Sequence, residues 1–96
     1  MLAAYVQLSD PSALLKDAIT QARSWVAHSR QRVSCDDAYS DLLLATERYG
    51  AARLLASLID EPTARIAALA TTDRLMAELL TRSHELRVTC RAPIAR

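Results

Sequence analysis

Glycine occurs once in this 96-residue chain, at Gly50, and the three prolines stand at Pro11, Pro62 and Pro93. Glycine and proline are the residues that most strongly interrupt a helix. Long uninterrupted helices are therefore open to this chain. Ala and Leu are abundant and Phe is absent. Ala and Leu lose little on entering a helix, whereas the β-branched and aromatic residues that suit strands are scarce. The expected fold class is all-α.

Three amphipathic patterns fill the chain. The first starts at Asp10-Pro11, where Asp suits an N-cap and Pro the first helical position. Leu15, Ala18, Ile19, Ala22, Trp25, Val26 and Ser29 then form one stripe about 120° wide. A second helix starts at Ser34, with Asp37 completing a capping-box-like pair. Ala38, Tyr39, Leu42, Ala45 and Tyr49 make its first stripe. After Gly50 the apolar set, Ala51, Leu54, Leu55 and Leu58, moves to the far side, and Leu44 belongs with it. Gly in a helix interior costs about 1 kcal/mol relative to Ala, so a bend or a tight approach is expected at Gly50.

Asp60-Glu61-Pro62 turns the chain into a third helix, which Pro93 ends. Its main stripe is Ile66, Leu69, Ala70, Met76, Ala77 and Leu80, with His84 toward its end as a half-buried side chain. Ala68, Leu75, Leu79 and Leu86 widen it to about 200°, and Arg74, Glu78, Arg82 and Glu85 hold the solvent face. Short connections make neighbours antiparallel. The architecture is an antiparallel three-helix bundle with long second and third helices, or four helices with a break at Gly50. It forms a single domain over 1–96, with an N-terminal arm at 1–9 and a frayed tail at 91–96.

The hairpin turn near Glu61 fixes two juxtapositions. Asp73, in mid-stripe, falls opposite Tyr49 and about one turn from Arg53, and is expected to bond to one of them, since a buried carboxylate needs a partner. Cys35 and Cys90 fall at the same end of the bundle. Two reduced thiols suit a cytosolic protein, while a disulfide would clip the open end of the hairpin.

The formal charge is +1, from 12 basic and 11 acidic residues. That balance argues against a general nucleic-acid binder. No apolar run approaches the ~20 residues of a membrane span. Met1–Leu8 lacks the basic start of a signal peptide. The expected location is the cytoplasm, with no membrane association.

Little in the chain carries chemistry. Two His and two Cys show no metal-binding spacing. Asp37 and Asp41 share a helix face, but they read as an acidic helix start that complements the dipole. No cofactor, metal or catalytic site is expected. Trp25, Tyr39 and Tyr49 lie on apolar stripes, as core aromatics do. Arg23 and His28 fit an Arg-x4-His spacing that resembles the motif of HEPN-type helical ribonucleases. The resemblance covers those two positions alone. It implies a ribonuclease in which His transfers protons and Arg holds phosphate across a dimer. Residues five apart on a helix point about 140° from each other, which works against a shared site within one chain. A third possibility is weak nucleic-acid binding through Arg30, Arg32, Arg87 and Arg91, partly neutralised by Asp36 and Asp37.

The surplus of apolar surface is the feature left over. Leu42-Leu43-Leu44 alone spans about 200° of helix, and the third helix is similarly broad. Leu44, Leu54, Leu55 and Leu58, with Leu75, Leu79 and Leu86, form a Leu-rich face beyond what helix one can cover. Such a face suits a homodimer, another protein partner, or both. The leading expectation is a small, non-enzymatic protein–protein interaction module with a regulatory role: an adaptor, inhibitor, antitoxin, immunity protein or secretion chaperone.

Overall fold

The computed structural model describes residues 11–90. The expected arm at 1–9, the tail at 91–96, Asp10, Arg91 and Pro93 lie outside them. The described residues form three helices and no strand: α1 (Pro11–Ser29), α2 (Cys35–Ser57) and α3 (Pro62–Cys90). The fold is an all-α bundle, as the composition requires.

The helix starts follow local chemistry. The Ser34 side chain accepts a hydrogen bond from the Asp37 backbone N–H at 3.3 Å, the Ser34 half of the capping box. Pro62 opens α3, and the Glu61 carboxylate accepts from the N–H groups of Thr63 and Ala64 at 3.1 and 2.6 Å. Those backbone donors, Ala64 first, hold the Glu61 carboxyl below its ordinary pKa. Arg65 closes the same turn by donating to the carbonyls of Ile59 and Asp60. At the other end Arg82 caps α1 from α3, its Nε donating to Ser29 Oγ at 2.8 Å and its Nη2 to Ser29 O at 3.0 Å. A cation suits a helix C-terminus. Arg82 is thus covered (its side chain is 12% exposed) and does not sit on the solvent face.

The core runs the length of the bundle in two packed clusters. From α1 it takes Leu15, Ala18, Ile19, Ala22 and Val26, the expected stripe. From α2 it takes Ala38, Leu42, Ala45, Ala52 and Ala56. These repeat at 3.6-residue spacing on a single face, so the expected change of side after Gly50 does not occur. α2 is one continuous helix through Gly50, whose φ is not positive and whose Cβ position has no atom within 4 Å. Neither a break nor tight intrachain packing explains this glycine. The alanine faces of α1 and α2 let those helices pack closely along their length.

α3 contributes Thr72, Leu75, Leu79 and Leu86, each fully or nearly buried. The laterally placed leucines are therefore the core set, and the expected main stripe is peripheral: Ile66 and Leu80 are exposed. The rotation has a simple cause. Thr72, Leu75, Leu79 and Leu86 fall within one arc of about 60°, and each fully buried Leu contributes roughly 1.5–3 kcal/mol. His84, nine residues from Leu75, points about 180° away and is exposed rather than half-buried.

The hairpin register is as expected. Arg53 Nη1 lies 2.7 Å from Asp73 Oδ1, and Cys35 and Cys90 form a disulfide with Cα atoms 6.0 Å apart. The thiols are thus bonded rather than reduced. The Asp73 side chain is 70% exposed, and the buried polar group beside it is Thr72. The Thr72 hydroxyl donates to the Leu69 carbonyl at 2.7 Å and accepts from Arg53 at 3.0 Å.

Candidate functional site

Two surface features stand out, one apolar and one polar. The apolar feature is a groove between α2 and α3 with a volume of about 410 Å³. Tyr39, Leu42, Leu43 and Thr46 line it from α2, and Met76, Leu79, Leu80 and Ser83 from α3. Leu42 and Leu79 form its floor because they are core residues. Leu43 at 68% and Leu80 at 61% exposure stand up at its edges, and Tyr39 is 37% exposed. Tyr39, expected in the core, is instead a wall of the groove.

The seven leucines expected to form a partner-binding face do not come together. Leu44, Leu54 and Leu58 lie on the surface of α2. Leu55 is partly buried against the core. Leu75, Leu79 and Leu86 are 0%, 5% and 2% exposed, so they hold the bundle together, and of the three only Leu79 borders the groove, as part of its floor. The groove residues Leu43, Leu80 and Met76 were the ones missed. A clue was present in Leu42-Leu43-Leu44: once Leu42 is buried, Leu43 must sit about 100° away from it.

The polar feature joins α1 to α2. Asp41 is 2% exposed. It accepts from Arg32 Nε at 2.9 Å and Nη2 at 3.4 Å, and its Oδ2 lies 2.9 Å from His28 Nδ1. The Arg32 hydrogen bond is the main reason that the Asp41 carboxyl sits below its ordinary pKa, against the opposing effect of burial. The same bond raises the Arg32 guanidinium. Trp25 meets the His28 ring edge-on, with centroids 5.6 Å apart. This arrangement fixes the end of α1 and the α1–α2 connection. It also commits both Asp41 oxygens to Arg32 and His28. The described residues contain no cluster of three or more His, Cys, Asp or Glu suited to a metal ion.

The HEPN-like pair is held apart. Arg23 makes a two-pronged contact with Glu78 on α3, at 3.0–3.2 Å. His28 turns instead to Asp41 on α2. The basic cluster is likewise engaged by acids: Arg32 with Asp41, and Arg30 with Glu85 at 3.6 Å. Arg87 is exposed in the last turn of α3.

No family model, curated protein or solved structure matches this chain. No helix among the described residues is long and apolar enough to cross a membrane.

Proposed function

We propose that this chain is a non-enzymatic protein–protein interaction module that docks its partner in the α2–α3 groove. One observation carries the reading: Leu43 and Leu80 stand largely exposed on either side of an apolar floor. Scattered exposed leucines are ordinary, but a contiguous patch with a concave floor is a typical protein-docking surface. A partner surface laid over the groove would bury both edges. The engagement of Arg23 and His28 by separate acids favours this reading over the ribonuclease one, and the paired state of Arg30 and Arg32 favours it over nucleic-acid binding.

The compartment is part of the same proposal. A disulfide closing the hairpin suits an oxidising environment better than the cytoplasm, so we place the working protein there. Alkylation of thiols in freshly lysed cells checks this: Cys35 and Cys90 should resist modification until reduced.

A photo-crosslinking residue at position 43, compared with one at 44, tests the groove. Protein adducts from position 43 and few from 44 are expected. Equal yields from both positions, or none from 43, would count against the groove as the docking surface.

A further inference from the structure

The groove reading leaves its occupant open, and the face around the groove narrows the choice. Tyr39, Leu43, Gly50 and Leu54 fall within about 60° of arc on α2. Leu43 and Leu54, 68% and 62% exposed, lie about 17 Å apart along the helix at 1.5 Å per residue. Gly50 sits between them, exposed, with empty space around its Cβ position. On α3 the same face carries Leu80, across the groove from Leu43, and the partly buried Leu69 and exposed Ile66 beyond the level of Leu54. The face therefore has two apolar ends, and between them lie Gly50, the exposed Glu47 and the Arg53–Asp73 ion pair.

We infer that the occupant is a second copy of this chain, packed face to face about a two-fold axis that crosses α2 near Gly50. The inference rests on the groove reading and names its partner. Rotation about such an axis sets α2 antiparallel on the α2 of the second copy. Leu43 of each copy then meets Leu54 of the other. This is the self-complementary pattern a two-fold interface requires. Gly50 near the axis lets the two α2 backbones approach, a use the single chain does not make of it. The size is sufficient. A face the length of α2, about 35 Å, and two helices wide, about 20 Å, buries on the order of 700 Å² per copy, or about 1,400 Å² in total, within the range of specific interfaces.

The test is sedimentation equilibrium of the full, disulfide-bonded chain from about 1 to 100 μM, a span that covers ordinary homodimer affinities. The expected result is a mass approaching twice 10.6 kDa. A single-chain mass throughout overturns the second-copy assignment. The groove reading then survives only if the position-43 adduct joins this chain to a different protein. Leu43→Asp should weaken the dimer about 30-fold or more, as loss of an interface anchor does. Gly50→Leu should do the same by wedging the two helices apart. Because its site is open in the single chain, it remains a valid test if Leu43→Asp unfolds. Leu44→Gln, about 100° from Leu43, should leave the dimer intact. A dimer that survives Gly50→Leu, or that Leu44→Gln dissociates, would show that the copies meet through another face and would overturn the proposal.

Discussion

Where α1 meets α2, the core is lined by Ala18 and Ala22 on one helix and Ala38, Ala45, Ala52 and Ala56 on the other, all 4% exposed or less. Where α3 joins, it brings Leu75, Leu79 and Leu86 to the same core. The alanine seam is close and is tied at its end by the ionic cluster of Asp41, Arg32 and His28. The leucine seam stands wider, opens into the groove on its outer side, and is tied by the Cys35–Cys90 disulfide. Small side chains let helices approach until no surface is left between them. Large ones hold the helices apart and leave an edge that a partner can use.

The largest test of that contrast is reduction. The disulfide spans a sequence separation of 55, for which loop-closure entropy gives about 4 kcal/mol. Urea melts with and without reductant should differ by about that amount. Amide exchange should show α3 loosening more than α1; equal loosening of all three helices would mean that the seams do not behave as separate units.

Leu75→Ala, at a position with no exposure, should cost roughly 2–5 kcal/mol. Leu43→Ala, on the rim, should cost under about 0.5 kcal/mol in the isolated chain. Thermal denaturation of the pair checks the α3 rotation described above, and comparable losses would contradict it.

The alanine seam should fail in the opposite sense. Ala52→Leu enlarges a fully buried residue and should destabilise by about 1–3 kcal/mol through overpacking. An unchanged Tm would mean that the seam has slack.

The ionic tie is tested in acid. The folded pKa of Asp41 lies below its ordinary 3.8, so the folded state binds fewer protons there than the unfolded one. Its stabilisation is complete above that value and is lost as pH falls through the folded pKa. Glu61, lowered from 4.5 by its backbone donors, acts in the same direction. Stability should therefore decline below about pH 4. Asp41→Asn should flatten that decline, and an acid limb identical to the parent's would remove Asp41 from the account.

Smallest is Gly50→Ala. It adds a methyl group where the single chain has open space, and should stabilise the fold by about 0.5–1 kcal/mol. A loss of stability in the isolated chain would point to intrachain packing at this position.

Sequence periodicity was decisive where one arc was apolar and the rest polar. The buried face of α1 was legible for that reason, from Leu15 to Ser29. The starts of α2 and α3 were legible from Ser34 and Pro62, whose backbone and capping chemistry is local. The hairpin register was legible too, because a known turn and a rise of 1.5 Å per residue bring Arg53 to Asp73 and Cys35 to Cys90. The rotations of α2 and α3 were not. Both carry apolar residues around most of their circumference, so several arcs could serve as core. Only assembly chose among them: close packing of α1 on α2 favoured the alanine arc of α2, which left Leu43, Leu44, Leu54 and Leu58 outside. α3 then turned Leu75, Leu79 and Leu86 inward to fill the wider gap. The candidate groove lies between those two rotations, and its walls were decided by tertiary packing.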